Sequence, residues 1–185
     1  MAFDSLSDIR QNVISTINSI PVRISQPTFL GTQLGPGEVF RFTVDVDHTP
    51  FSLNWVQLTR VRLRIQVDNP TIARLTVPDS GFGFGGPNPF SGSVITDLNG
   101  LAFPTGPIDL RRGFIINFPE GNPWYQLISP AEDVPALAFR GRAMTVGNFR
   151  IQARIIADVD LNWLFPPNQD SNLTDQSNVA VSVAS

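Results

Sequence analysis

Three segments of the chain alternate apolar and polar residues with a period of two over most of their length. They are Glu38 to Asp47, Gln57 to Val67 and Gly147 to Asp160. In an extended strand successive side chains point to opposite faces, so this period separates an apolar face from a polar one. Each segment therefore predicts a strand with one face in a protein core and the other in water.

Five weaker segments, bounded by glycine, proline, asparagine or aspartate, predict further strands. They are Pro21 to Ser25, Thr71 to Val77, Ser93 to Asp97, Phe114 to Phe118 and Val134 to Arg140. Several connections among these roughly eight strands are too long for hairpins, which favours two Greek keys over an up-and-down barrel. The sequence predicts an all-β fold, a single jelly-roll sandwich or barrel in residues 21–165, with other sandwich topologies left open.

Residues 1–20 break the strand pattern. Apolar residues recur there at helical spacing: Leu6, Ile9, Val13 and Ile17. This spacing predicts a short amphipathic helix that ends at Pro21 at the latest. Its apolar stripe is expected to meet either a neighbouring subunit or a membrane surface, and the subunit is preferred because Arg10 is its one basic residue.

Residues 166–185 begin with two prolines and continue as a polar run. They predict a flexible or partner-binding arm. Its tip alternates again, with Val179, Val181 and Val183 at every second position. Such a tip is suited to adding a strand to the exposed sheet edge of a neighbouring chain.

Charge and cysteine content exclude several classes of function. All 13 basic residues are arginine, the net charge is −3 and the pI is near 5.0. This balance argues against binding to phosphate backbones, so no direct contact with nucleic acid is expected. The absence of cysteine excludes disulfides, thiolate metal sites and a cysteine nucleophile. Neither a secretory signal nor an apolar membrane span is recognisable.

No catalytic pattern is recognisable either. The single histidine, His48, lies in the turn-like stretch 47–50, and we interpret it as a surface turn residue. Asp45 with Asp47, and Asp158 with Asp160, place two carboxylates on one strand face, where they are either solvated or bind calcium at a loop end. The sequence therefore predicts no enzyme, cofactor or metal. An enzyme with an unrecognised carboxylate pair is the least favoured alternative.

Two groups of aromatic residues lie in or beside loops. The glycine-rich segment 81–92 contains Phe82, Phe84 and Phe90. Trp55, Trp124 and Tyr125 lie near turns. The phenylalanines either fill the end of the barrel or anchor a partner, and the second group is expected at subunit contacts, with a role in the core as the alternative.

Arginines recur at every second position on the polar faces of two predicted strands. Arg60, Arg62 and Arg64 lie on the first, and Arg150 and Arg154 on the second. They form either a track for phosphate groups or pairs with carboxylates. We expect pairing, because these faces lack the interleaved aromatic residues that stack on single-stranded nucleic acid.

The chain resembles the smaller major capsid protein of the vertical single β-barrel viruses, the sphaerolipovirus-like icosahedral viruses of haloarchaea and thermophilic bacteria that contain a membrane. The resemblance covers about Pro21 to Phe165, and the strands Val39 to Val46 (VFRFTVDV) and Phe149 to Ile156 (FRIQARII) carry it, together with the size and the lysine-free composition. It implies upright barrels, pairing with copies of itself and with a larger sister capsid protein, an internal membrane beneath the shell, and a location in the virion.

A carbohydrate-binding β-sandwich, such as a lectin-like or attachment protein, is the alternative function. It requires Trp55, Trp124 and Tyr125 to form one exposed platform for sugar rings. Their positions in space therefore discriminate between the two functions.

Overall fold

The computed structural model describes residues 22–46, 57–78, 89–103, 110–122, 124–125, 127–128, 136–160, 169–171 and 176–185. Within these residues the secondary structure is entirely β, with no helix that is long and apolar enough to cross a membrane. The strands are β1 (Val22–Ile24), β2 (Thr28–Phe29), β3 (Val39–Val46), β4 (Gln57–Val67), β5 (Ala73–Thr76), β6 (Val94–Thr96), β7 (Leu110–Arg111), β8 (Gly113–Asn117), β9 (Leu127–Ile128), β10 (Leu137–Ala143), β11 (Gly147–Asp160), β12 (Gln169–Ser171) and β13 (Gln176–Val183).

The three long alternating segments form β3, β4 and β11, which confirms the strands predicted from their period. In β3 every second residue from Phe40 to Val46 is buried, and the residues between are exposed or half-buried. The apolar residues of β4 from Val61 to Val67 are buried in the same alternating way. The five weaker segments are also confirmed as β1, β5, β6, β8 and β10.

The strands form two antiparallel sheets that pack as a sandwich. Sheet A has the order β1–β3–β10–β5–β7, and β2 also pairs with β3. Sheet B has the order β12–β11–β4–β8–β6, with β13 also pairing with β11 and β9 also pairing with β4. The predicted all-β sandwich is thereby confirmed, and the jelly-roll topology stays a prediction.

Successive strands from β3 to β8 alternate between the two sheets, so neighbours within a sheet are far apart in sequence. The side chains of Gln66 and Gln152, which are 86 residues apart, face each other on β4 and β11. Local hairpins therefore contribute little to either sheet, and burial of the shared apolar interior holds the sheets together.

Aromatic rings connect the two sheets across the core. The Phe40 ring of sheet A lies 5.4 Å from the Phe149 ring of sheet B, measured between centroids. Phe139 of sheet A lies 5.9 Å from Phe114 of sheet B and 5.5 Å from Phe90. Each such ring contributes about 1.5–3 kcal/mol through burial. The apolar residues predicted to face the core therefore do so.

Strand β13 pairs within its own chain, whereas the tip of the C-terminal arm was predicted to be suited to the sheet edge of a neighbouring chain. It pairs with β11 of the same chain over eight positions, from Gln176 opposite Arg154 to Val183 opposite Gly147. Its alternating valines face the sandwich core and are buried. The alternation indicated a strand correctly, but the free edge that it covers belongs to its own sheet B.

Several predictions concern residues outside the described part of the chain. These are the N-terminal helix with Leu6, Ile9 and Val13, the turn with His48, the loop residues Phe82 and Phe84, and Trp55. The predicted boundaries after residues 20 and 165 lie outside it too.

Candidate functional site

The outer face of sheet B concentrates positive charge on its two central strands. We call its polar side chains the arginine face: Arg62, Arg64 and Gln66 of β4, with Gln152 and Arg154 of β11. The register places Arg64 directly opposite Arg154 and Gln66 directly opposite Gln152. All five side chains are half-buried.

Hydrogen bonds order the glutamines of this face. Gln66 Nε2 donates to Gln152 Oε1 at 2.7 Å, and Arg64 Nη2 donates to Gln66 Oε1 at 3.2 Å. The two amides therefore link β4 to β11 on the outer surface and hold one side of the Arg64 guanidinium.

The guanidinium groups of Arg62 and Arg64 are partly desolvated, and no carboxylate among the described residues pairs with them. The Nε atom of each is covered by protein and has no hydrogen-bond partner. Within the described residues, neither side chain forms an ion pair with a carboxylate. The pairing with carboxylates that we expected from the sequence is thus missing for these two arginines in this part of the chain.

This arrangement favours an external anion. Because part of the desolvation has already occurred in the free protein, an incoming carboxylate gains more from the guanidinium than it would at a fully hydrated one. The planar fork of arginine fits a carboxylate through two parallel hydrogen bonds. The face is therefore suited to binding anionic groups of another molecule.

Three open clefts indent this side of sheet B. A small one of about 90 Å³ lies among Arg64, Gln66, Gln152 and Arg154. A second, of about 410 Å³, is lined by Arg60, Val61, Arg62, Asn117, Phe118 and Tyr125. The third, of about 600 Å³, is lined by Arg64, Gln66, Asp97, Leu98, Asn99, Phe103, Arg111, Arg112 and Gly113. The face is therefore an uneven surface with polar recesses.

A β-bulge shapes the second cleft. Ile156 of β11 lies opposite Arg62 of β4, and Asp158 lies opposite Thr59. Two residues of β11 therefore correspond to three of β4, so the extra residue is in β4. Arg60 adopts a left-handed backbone conformation there, with φ of 49°. Bulges twist and bend a strand and redirect its side chains, and they are common beside binding sites.

Five of the residues predicted to contact a partner are buried in the core of this chain. Trp124 is 1% exposed and stacks on Phe118, with ring centroids 5.6 Å apart. Phe90 is 7% exposed and packs on Phe139. Val179, Val181 and Val183 form the buried face of β13. All five side chains belong to the buried apolar cluster of the sandwich.

Tyr125 is the predicted aromatic contact residue that reaches a surface recess in the described part of the chain. It is half-buried, and it lines the 410 Å³ cleft beside Arg62 and Asn117. Trp124, its neighbour in sequence, is too deeply buried to share a sugar-binding platform with it.

Among the described residues, no group of three or more histidine, aspartate or glutamate side chains is arranged to hold a metal ion. Asp45 is half-buried, and its carboxylate accepts a hydrogen bond from the backbone N–H of Val46 at 2.8 Å. The calcium alternative for the Asp45 and Asp47 pair involves residue 47, which lies outside the described part.

The chain aligns over most of its length with several solved structures. The Actinomyces fimbrial adhesin FimA aligns at 15% identity with a TM-score of 0.42, over 82% of this chain and 51% of the adhesin, so this chain spans about half its length. A type II cohesin domain from the cellulosome of Acetivibrio cellulolyticus aligns at 10% identity with a TM-score of 0.40, over 84% and 92% of the two chains.

A third similar structure is AvmM, which catalyses macrocyclization in alchivemycin A biosynthesis. It aligns at 12% identity with a TM-score of 0.42, over 91% of this chain and 90% of AvmM. Likenesses of this size concern the β-sandwich fold alone. No protein-family model matches the sequence, and a search of curated proteins found no match.

Proposed function

We propose that this chain is a non-enzymatic structural subunit that packs against other protein subunits through the outer surfaces of its sandwich. The observation that carries the proposal is the arginine face, where the half-buried guanidinium groups of Arg62 and Arg64 have no carboxylate partner among the described residues. A neighbouring subunit that brings carboxylates to this face would supply the missing counter-charge and cover the clefts around it.

The specific form of the proposal is a coat subunit of an icosahedral virion with a jelly-roll barrel. Its partners are copies of itself and a larger sister capsid protein, and residues 1–20 contact a neighbouring subunit or an internal membrane. The resemblance of the strands Val39–Val46 and Phe149–Ile156 to the vertical single β-barrel capsid proteins supports this form. A rigid two-sheet sandwich is also suited to hold the fixed geometry of a closed shell.

The proposal predicts concentration-dependent self-association. Light scattering on the purified chain is expected to give a mass above the 20.3 kDa of one chain, rising with concentration. The double variant Arg62→Gln/Arg64→Gln is expected to associate about tenfold more weakly, because an interfacial charge pair contributes at least about 1.5 kcal/mol. The control Arg74→Gln/Arg142→Gln removes the same charge from two exposed arginines of sheet A, away from the arginine face and its clefts, and is expected to behave like the wild type.

A mass of one chain at every protein and salt concentration would contradict self-association. Equal weakening in both double variants would show that net charge, and not the arginine face, governs association.

A carbohydrate-binding module is the second candidate, and one observation favours it. The cleft that Tyr125 shares with Arg62 and Asn117 combines an aromatic ring with hydrogen-bonding side chains, as sugar sites do. The buried position of Trp124 removes one member of the expected platform. A strictly monomeric chain would favour this candidate over the structural subunit.

A further inference from the structure

A tight turn after β8 carries an exposed carboxylate at its tip. In this turn the backbone N–H of Asn122 donates to the Pro119 carbonyl oxygen at 3.0 Å, and Gly121 has a φ of 94°. A glycine with positive φ at the third position is typical of a type II turn. Glu120 occupies the second position and is exposed.

The side chain of Asn122 fixes this turn to the rest of the fold. Its Nδ2 donates to the Pro89 carbonyl oxygen at 2.9 Å, and its Oδ1 accepts from the backbone N–H of the buried Trp124 at 2.9 Å. The backbone that carries Glu120 is therefore ordered before any partner arrives. Such preorganisation reduces the entropy that is lost on binding.

Glu120 differs from the other acidic residues whose side chains the structure describes. In those four residues the carboxylate accepts a hydrogen bond from a backbone N–H group; they are Glu38, Asp45, Asp68 and Asp97. The carboxylate of Glu120 makes no hydrogen bond or ion pair with any described residue. Within this part of the chain, it is therefore the carboxylate best placed to pair with a second molecule.

Arg62 of the arginine face is the matching group of opposite charge. Its side chain makes no hydrogen bond or ion pair with a described residue, its Nε atom is covered by protein, and it lines the 410 Å³ cleft. The register places Arg62 directly opposite Asn117, three residues before Glu120. The carboxylate and the cleft therefore lie at the same end of sheet B.

We infer that two copies of this chain form a closed dimer, in which Glu120 of each copy enters the 410 Å³ cleft of the other and pairs with Arg62. The inference rests on the proposed self-association through the arginine face and names its contact. Because both groups lie at one end of the same sheet, a two-fold axis brings both pairs together at once, and the assembly closes at two copies. Each carboxylate then meets the guanidinium through two parallel hydrogen bonds.

Removing the carboxylate at the tip of the turn tests the contact. Glu120→Gln is expected to weaken self-association in light scattering by about tenfold or more, because both pairs of the dimer lose their charge. The control Glu38→Gln removes the same charge before β3 of sheet A, and the glutamine oxygen is still able to accept from the Gly35 N–H. It is expected to associate like the wild type. Circular dichroism establishes that each variant is folded before its mass is compared.

Exchanging the two charges tests the pairing directly. Glu120→Arg opposes two basic side chains in each contact, and Arg62→Glu opposes two acidic ones, so each variant alone is expected to be monomeric where the wild type associates. Position 62 has Asn117 and Ile156 directly opposite it, so a glutamate there has no basic residue directly across the sheet.

An equimolar mixture of these two variants restores an oppositely charged pair in both contacts of a mixed dimer. Its mass is expected to be twice the 20.3 kDa of one chain and no larger. A mixture that stays monomeric although the wild type associates would overturn the inference. A mixture that grows beyond two chains would overturn the two-fold arrangement, because the contact would then join different surfaces head to tail.

Two further outcomes distinguish this inference from the proposed function. If Arg62→Gln/Arg64→Gln weakens association and Glu120→Gln does not, a different carboxylate occupies the cleft. The inference then fails, while self-association through the arginine face stands. If the wild type is monomeric at every protein and salt concentration, both fail.

Discussion

Gly141 shows how closely the strands on either side of β10 constrain a single residue. It lies on β10 between Phe40 of β3 and Leu75 of β5. A Cβ atom built on Gly141 would meet the Phe40 ring, and it would lie 2.7 Å from the carbonyl oxygen of Arg74. The Phe40 ring therefore occupies the space that a side chain at position 141 would need.

Replacing Gly141 with alanine is expected to destabilise the fold by about 1–3 kcal/mol, the usual cost of overpacking a core. The matched control is Gly35→Ala, because a Cβ atom there has its nearest neighbours at 3.8 Å and the backbone is not left-handed. Urea denaturation measures the free energy of unfolding for both. If the two variants are equally stable, the Phe40 ring does not occupy this space in solution.

At the scale of the element, β13 decides whether β11 has a free edge. It pairs with β11 over eight positions, and its alternate valines complete the core beside Phe149. An uncovered β11 would present unpaired backbone groups along a strand with one apolar face, which is a common route to aggregation. The C-terminal strand is therefore part of the sandwich.

Val181→Asn tests this role of β13. Val181 is 8% exposed, so the change places an amide in the core and is expected to lower the free energy of unfolding by at least about 2 kcal/mol. The control Ala180→Asn introduces the same side chain on the exposed face of the strand and is expected to be neutral. Thermal unfolding followed by circular dichroism measures both. A free arm would instead leave the two variants as stable as the wild type.

The period-2 pattern predicted β3, β4 and β11 nearly to the residue because burial on one face determines which residues a strand can use there. The pattern does not specify which strands pair with each other, because the alternation is the same whichever neighbour a strand has. For that reason the valines of β13 were expected on a neighbouring chain. Likewise, the sequence showed the arginines of β4 and β11 as two rows, but only the register brings Arg64 opposite Arg154.

The arginines on the outer face of sheet A were not predicted as neighbours. Arg41, Arg74 and the two arginines of β10 lie on three separate strands, and nothing in their spacing along the chain indicates that the sheet brings them together. For Trp124 the sequence left both a subunit contact and a role in the core open. An aromatic residue beside a turn has the same sequence context in a core as at an interface, and the stacking on Phe118 becomes evident only from the fold.

At the scale of the whole molecule, arginines lie on the outer faces of both sheets although the chain carries a net −3. Arg62, Arg64 and Arg154 lie on sheet B, and Arg41 and Arg140 are directly opposite each other on sheet A. An argument from net charge alone therefore underestimates the attraction of these faces for anions.

Salt is expected to stabilise the monomer. Raising NaCl from about 20 to about 200 mM shortens the Debye length to below about 10 Å and weakens the repulsion between the exposed arginines of sheet A, where Arg41 lies directly opposite Arg140. The melting temperature is expected to rise by about 2–4 °C, the change that about 1 kcal/mol produces in a chain of this size. The variant Arg41→Gln/Arg140→Gln is expected to respond less. A melting temperature that falls with salt would indicate that attractive ion pairs dominate instead.

The alternation of successive strands between the sheets also determines when the chain is able to fold. β3 and β4 acquire their central partners only when β10 and β11 exist, and Gln66 meets a residue 86 positions later. Pairing between strands so far apart in sequence is typical of all-β proteins that fold in milliseconds to seconds. During synthesis the apolar faces of β3 and β4 therefore stay incompletely covered until β10 and β11 have been made. A chaperone that shields extended apolar segments would act in that interval.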